Sequence, residues 1–458
     1  MRRCLRGLRR RDHRLPLVPV RPAQQGLPVT GAVPAAGGRI GLGEFVRRAA
    51  DAGELVVQPR MGFSSSTAMR AGLLAVKAAP ATTVGTITLD SYTRLGDLGA
   101  AARAVSAGED LNGYPIATHP VRTTRAVIDG VRDTAFPVQV RHGSADPRHI
   151  FAALVAAGLD ATEGGPVSYC LPYGRVPLDE SVRNWAHCSE LFARLREYSP
   201  VEPNLETFGG CMLGQLCPPS QLVALSVLEA LFFRRYGVRS IAVSYAQQTN
   251  PRQDQEAVRA LRRLCAELLP DVTWHVVIYT YMGLFPATPH GARRILTHAV
   301  ELARTTGAER LIVKTVAEAH RIPTIAENVE ALTHAAATAH TVSTTAVPEH
   351  EGSDSQTYAE ARALVEAVLD SGPDIGRSLL HSFKSGYLDI PYCLHPDNLG
   401  RTRSYVDTDG ALRWADTGLL PIGHLVRASG RSRVTAAGLM EALSSVRRRY
   451  DTVREEVP

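Results

Sequence analysis

From Glu44 onward the chain alternates between two hydrophobic rhythms. Short apolar runs of strand length fall at 56–60, 83–89, 113–118, 136–141, 166–171, 201–206, 239–245, 273–280 and 309–314. Between most of them lie longer stretches with apolar residues three or four apart, at 45–52, 68–79, 150–157, 221–236, 255–268 and 292–305. The first pattern predicts strands and the second predicts helices that bury one face. Strand–helix alternation sustained over roughly 270 residues predicts a parallel sheet, and its length favours closure into a (β/α)8 TIM barrel of the α/β class. Nine strand candidates compete for eight places, so one is peripheral or no strand at all.

The rhythm changes near residue 345. Residues 349–355 read as a polar loop and 358–370 as a helix; residues 382–391 lead into extended pieces near 401–406 and 412–414. The expected organisation is an N-terminal extension over 1–42, a barrel over 43–345 and a C-terminal addition over 346–458 packed on the barrel. The run Leu222–Phe233 carries Glu229 and is followed by Arg234 and Arg235, so it reads as a buried helix and not as a membrane span.

Charge changes the picture only at the start of the chain. The formal net charge is +6, but residues 1–21 hold eight arginines against Asp12 alone, so the remaining 437 residues sum to −1. A basic nucleic-acid face is not indicated. The Arg-rich start resembles a targeting segment, yet the apolar stretch 15–20 is too short and too proline-broken for a signal core. A disordered extension or a start codon assigned too far upstream is the expectation. Seven cysteines without a CxxC pair suit neither a disulfide framework nor a zinc ribbon, and point to a reducing, cytoplasmic compartment.

Candidate chemistry gathers at strand ends, where barrels of this kind build their sites. Arg60, Arg94 and Arg141 each follow an apolar run. A guanidinium stays charged and grips carboxylate or phosphate with a rigid fork. Two readings are open: the three converge on a ligand with more than one negative charge, or each pairs privately with an acid such as Asp90 or Asp97. Glu163 precedes the candidate strand 166–171, and Tyr169 and Tyr173 lie around its end, as ligand contacts or as core aromatics with hydroxyls at the rim. Gly164 and Gly165 suit close backbone approach to a ligand. Lys314 and Glu318 are four apart, a spacing that makes an ion pair on a helix. Asn112-Gly113 reads as a turn. No phosphate loop, dinucleotide fingerprint, nucleophile elbow, HExxH or histidine metal spacing occurs.

Several strings in order carry a resemblance: Gln58-Pro59-Arg60, Thr88–Arg94, Leu111–Pro115, Arg141-His142-Gly143, Glu163-Gly164-Gly165, Ser168–Tyr173, Pro218-Pro219-Ser220, Met282–Pro286, Val313-Lys314-Thr315 and Leu388–Pro391. Over roughly residues 45–425 the chain resembles the large epsilon subunit of glutamate mutase (methylaspartate mutase). The resemblance implies adenosylcobalamin-dependent radical isomerisation of L-glutamate to 3-methyl-L-aspartate at the barrel mouth. It implies that Arg60, Arg94 and Arg141 grip the two substrate carboxylates, with His142 beside them and Tyr169 and Tyr173 in contact. It implies that Glu163 accepts hydrogen bonds from the substrate ammonium and relays its proton. It places Gly62, Asn112, Pro172, Phe285, Lys314, Glu318 and Ile322 against the coenzyme, Lys314 and Glu318 near the adenosyl ribose.

The cobalamin fingerprint DxHxxG is absent from this chain. The resemblance implies that a small sigma subunit carries it, in a heterotetramer built on a dimer of this chain. Met61 and Phe63 after Arg60, and Leu284 where the family has glycine, are departures that shift substrate choice or merely repack. Two other readings stay open: a related mutase acting on another amino dicarboxylate, and a non-catalytic barrel that only binds.

Overall fold

The structure, a computed structural model, describes residues 38–172, 174–211, 216–343, 355–426 and 435–452. The expected extension therefore lies almost wholly outside the described residues, as does Tyr173. Eight parallel strands form one sheet: β1 (Val56–Gln58), β2 (Gly85–Thr88), β3 (Val138–Arg141), β4 (Ala161–Gly164), β5 (Asn204–Thr207), β6 (Ser240–Ala246), β7 (Thr273–Tyr279) and β8 (Arg310–Ile312). Each pairs with its neighbour in sequence, and β8 pairs with β1. A parallel bridge from Val57 to Thr83 joins β1 to the approach of β2, where Val57 N–H donates to Thr82 O at 3.0 Å. The sheet closes on itself as a (β/α)8 barrel, and every strand is followed by at least one helix.

Local chemistry sets the helix limits. Asn250 and Thr288 accept backbone N–H groups at the starts of Pro251–Leu268 and Pro289–Thr306, each with proline at the first position. Thr324 and Glu327 form a reciprocal capping box at the start of Ile325–Thr341. The expected C-terminal addition consists of helices Gln356–Asp370 and Ile375–Ser385, an antiparallel hairpin of β9 (Arg403–Val406) and β10 (Leu412–Asp416), and helix Ala436–Thr452. Helix Gln356–Asp370 packs on Pro219–Arg235, which is why that apolar helix is buried on nearly every side. No helix among the described residues is long and apolar enough to cross a membrane. Helix Ala436–Thr452 pins the loop after β7: Asp451 accepts the N–H groups of Ala287 and Thr288, both at 3.0 Å, and Arg447 Nε donates to Phe285 O at 2.8 Å.

Two strand candidates fail. Residues 113–118 touch the barrel only through a bridge from Tyr114 to Leu89, and then turn, with Thr118 N–H donating to Pro115 O. Residues 166–171 are a buried turn. There the N–H groups of Val167 and Ser168 go to the Glu229 carboxylate, and those of Cys170 and Leu171 to Val167 O. A ladder strand cannot spend its donors that way. The true β4 is the preceding Ala161–Gly164, so Glu163 lies within a strand and not before one.

The barrel interior departs from the usual aliphatic filling. The odd-numbered strands contribute Gln58, Gln139, Glu206 and Tyr279, all fully buried. Gln58 Nε2 donates to Gln139 Oε1 at 2.8 Å, Gln139 Nε2 donates to Glu206 Oε2 at 2.9 Å, and Tyr279 OH donates to Glu206 Oε1. Arg310 from β8, also fully buried, donates to Gln58 and to Glu206 and approaches His275 Nε2 at 3.3 Å. Every charge there has a partner, the condition under which buried ions are tolerated.

Candidate active site

The three arginines do converge. Arg60 follows β1, Arg94 lies in the short helix Ser91–Leu95 after β2, and Arg141 ends β3. All three line one cavity of about 410 Å3, together with Ser91, His142, Glu163, Tyr169, Phe208 and Met282. Asp90 and Asp97 are not their private partners: each accepts a backbone N–H at the start of a helix, from Thr93 and Ala100. Two of the arginines nonetheless have acids of their own. Arg60 Nη1 meets Glu318 Oε1 at 2.5 Å, and Arg141 Nη2 meets Glu163 Oε2 at 2.7 Å. Arg94 makes no ion pair among the described residues; its Nε reaches only Asp90 O, at 3.4 Å. Burial pushes its pKa down, but a guanidinium remains charged. Arg94 is thus a desolvated cation facing a cleft.

Glu163 is held from three sides. Tyr169 OH donates to Oε1 at 2.7 Å, the Tyr279 hydroxyl oxygen lies 2.8 Å from Oε2, and Arg141 sits against Oε2. Burial raises its pKa, Arg141 opposes, and the charge on Glu206 reinforces the rise. Tyr169 is a core aromatic packed on Phe208 at 4.9 Å, with its hydroxyl on Glu163.

His142 stacks on Trp185 with centroids 5.8 Å apart, and its Nδ1 accepts the Ser144 N–H at 3.2 Å. That bond assigns the remaining proton to Nε2, which is buried without a hydrogen-bond partner; Arg141 Nη1 likewise makes no hydrogen bond, though it stands 3.6 Å from Glu206 Oε1. Burial, then the positive fields of His149, Arg94 and Arg141, bring the imidazole pKa down to about 3, so His142 is a neutral donor. Gly164 and Gly165 serve the protein more than a ligand. A Cβ on Gly164 would lie 2.4 Å from Trp185, and one on Gly165 would lie 1.9 Å from the Glu229 carboxylate.

Of the residues placed against a coenzyme by resemblance, none lines that cavity itself, but Glu318 meets Arg60, Asn112 holds Ser91 and Gly62 lies against Thr88, three residues that do. Lys314 and Glu318 follow β8, with Lys314 Nζ 3.3 Å from Glu318 Oε1 and 4.9 Å from the Phe285 ring centre. Their spacing therefore makes the expected ion pair, in a turn and not on a helix, and Glu318 bridges Arg60 to Lys314. Burial brings the Lys314 pKa down to about 8. Ile322 is 52% exposed and Pro172 is half-buried. Gly62 and Asn112 have structural duties of their own. A Cβ on Gly62 would meet Thr88 O at 2.2 Å, and Asn112 Oδ1 accepts from Ser91 N and Oγ, supporting the helix that carries Arg94. Met61 and Phe63 pack towards Gly72 on the helix Ser66–Lys77, so these two departures repack. A larger cavity of about 960 Å3 lies beside the hairpin, but its buried Glu360 is satisfied by Ser220, Gln356 and Trp414.

Residues 41–447 match the family described as methylaspartate mutase E chain (MutE). The chain belongs to this family. It is 31% identical to the glutamate mutase epsilon subunit of Escherichia coli O157:H7 over 73% of this chain and 72% of that one. It is 32% identical to the glutamate mutase epsilon subunit of Halobacterium salinarum (76% and 74% covered) and 31% identical to that of Desulfitobacterium hafniense (77% and 75%). A solved putative phosphonomutase from Burkholderia cenocepacia shares only 12% identity and a TM-score of 0.33, covering 59% of this chain and 91% of its own. As a methylaspartate mutase E chain, the protein is a mutase subunit, hence an isomerase.

Around this site of the E chain, sequence reading passed over four residues. Glu206, Tyr279 and Arg310 sit beneath the arginines. Glu229 accepts N–H groups from Val167, Ser168, Phe208 and Gly209, tying together the turns after β4 and β5 that carry Tyr169 and Phe208. The one available signal was a lone acid in an otherwise apolar helix, because an unpaired buried carboxylate is costly.

Proposed function

We propose that this chain is the substrate-binding, catalytic subunit of an adenosylcobalamin-dependent mutase that converts L-glutamate to 3-methyl-L-aspartate. The observation that supports it is the convergence of Arg60, Arg94 and Arg141 on one cleft beside Glu163, with Arg94 free of an acid partner among the described residues. Three fixed guanidiniums suit two carboxylates, and Glu163 suits an ammonium. Arg141 Nη1 and His142 Nε2, both buried without a hydrogen bond, supply further donors to a carboxylate. A carbon-skeleton rearrangement has to keep the migrating piece beside its acceptor. Guanidiniums fixed on both carboxylates do this by positioning.

The mouth fits the coenzyme. Lys314 and Glu318 offer a donor and an acceptor to ribose hydroxyls, and Ile322 and Leu95, 52% and 77% exposed, offer apolar surface. Gly62, Asn112, Pro172 and Phe285 complete the rim, and Tyr173 joins the substrate contacts by sequence. Bound adenosylcobalamin would supply radical chemistry from its cobalt–carbon bond. This chain excludes solvent and orients the substrate. With no DxHxxG in the sequence, a small sigma subunit holds the cobalamin from the other side, in a heterotetramer.

The test is to titrate the purified chain with adenosylcobalamin, with and without a DxHxxG-bearing partner, following the cobalamin spectrum and L-glutamate conversion. Turnover is expected only with both proteins, rising with partner concentration. Turnover by this chain alone contradicts the placing of the cofactor. Coenzyme binding without L-glutamate turnover in the complex contradicts the substrate.

A further inference from the structure

Two carboxylates meet at one phenol. The Tyr279 oxygen lies 2.8 Å from Glu163 Oε2 and in hydrogen-bond contact with Glu206 Oε1, while Arg141 Nη2 donates to it from 3.0 Å. A phenol has a single proton to give. With Arg141 donating inwards, Tyr279 can make a linear bond to one carboxylate; the bond to the other needs a second proton. Arg141 and Arg310 are buried against Glu163 and Glu206, two cations to two carboxylates, so it is the pair of bonds at Tyr279, and not the charge count, that calls for the proton. One added proton leaves that group singly positive, at a place where a cationic ligand would otherwise have to stand.

We propose that Glu163 and Glu206 share a single proton through the Tyr279 hydroxyl, and that a substrate ammonium binds at Glu163 only by replacing it. This rests on the reading of Glu163 as the ammonium acceptor. Glu206 and Tyr279 act through Glu163 and are positioning residues. The exchange is balanced: the Glu163 carboxyl and an incoming ammonium become a carboxylate–ammonium pair, and one proton leaves through the cleft to solvent. The site therefore discriminates between amino dicarboxylates and dicarboxylates without an amine.

The groups facing Glu163 decide where the proton rests. They are Arg141 from β3, Glu206 from β5, Tyr279 from β7, Tyr169 from the turn after β4, Arg94 from the helix after β2, and Cys211 beyond β5. Burial and the Glu206 charge push Glu163 upward. Burial also opposes charge on Glu206, but Arg310 and Arg141 outweigh it and hold Glu206 below the ordinary range. These opposite directions favour Glu163 over Glu206 as the place of the shared proton.

The experiment is calorimetric titration of the chain with its partner subunit and without adenosylcobalamin, near neutral pH, in buffers of differing ionisation enthalpy. L-Glutamate should release about one proton per site, and glutarate about none. In Glu206→Gln the negative charge that favours a proton on Glu163 is gone, and release by L-glutamate should fall clearly below that of wild type while binding persists. Wild type binding L-glutamate without release, or Glu206→Gln releasing as much as wild type, overturns the proposal. If Glu206→Gln does not fold, the wild-type contrast between L-glutamate and glutarate decides alone. Absence of L-glutamate binding overturns the substrate reading and the displacement with it. The infrared carbonyl band lost between wild type and Glu163→Gln then decides whether the pair holds a proton, since buried Glu229 and Asp254 contribute equally to both spectra.

Discussion

On the β3–β5 side of the cleft, Arg141 and Glu163 keep 5% and 2% of their side-chain surface, and each is bound to several fixed groups. On the β1–β8 side, Arg60 and Glu318 keep 32% and 18%, and Arg60 depends on that single carboxylate. The first wall is built into the barrel core and continues downward through Glu206 to Arg310. The second stands on loops beyond the strand ends, where water competes for every charge. Arg94 lies between them with no acid of its own among the described residues. The closed wall can fix one end of a ligand without rearranging. The open wall can exchange the Arg60–Glu318 pair for contacts with a ligand at little cost.

The contrast is broken most directly by Arg141→Met. It leaves Glu163 and Glu206 without one of their compensating cations, so unfolding free energy should fall by about 3–5 kcal/mol, with activity lost. Denaturant unfolding at neutral pH checks this, and wild-type stability would show that the closed wall is not held by Arg141. Glu229→Gln comes next. The amide has one acceptor oxygen where the carboxylate serves four N–H groups, so about 2–4 kcal/mol should be lost as donors go unmet.

Arg94→Lys sharpens the same contrast from the middle. Charge is kept and the fork is lost, so activity in the reconstituted enzyme should fall at least tenfold, about 1.4 kcal/mol, with the thermal midpoint nearly unmoved. An unchanged rate would remove Arg94 from the substrate grip. The smallest effect belongs to the open wall and is read through pH. Lys314 has a folded pKa of about 8, below the ordinary lysine value. Its charge is therefore lost as pH rises through 8, and adenosylcobalamin binding should weaken about two- to threefold above that pH. Stability moves the other way: from there to the ordinary lysine pKa the unfolded chain holds the extra proton, so this group's contribution rises with pH. Lys314→Arg should flatten the binding profile, and a profile that stays bent points to another group.

Much of this was legible in the residues. Seven of the nine apolar runs fall on barrel strands, and the helices read from their spacing stand where expected. The arginines were visible because a charge at the end of a buried parallel strand has nowhere to go but a cleft. β4 was missed because Ala161-Thr162-Glu163-Gly164 is four residues long with a carboxylate facing inward, while the apolar Pro166–Leu171 beside it gives the stronger strand signal. Glu229 decided that contest from a helix more than 60 residues away, by taking the N–H groups a ladder would need.

The sequence by itself therefore determined the alternation of strands and helices, the closed parallel barrel it implies, and the charged residues delivered to its mouth. These follow from periodicity and from the cost of burying a charge, which act on each segment separately. Only the tertiary structure decided which charges meet. Glu206 and Arg310 are 104 positions apart, Arg60 and Glu318 258, and Glu163 and Tyr279 116. A period of two says that a strand residue faces inward but not what stands across the barrel. That partner is fixed when the sheet closes, and with it the protonation and freedom of every ionisable group in the site.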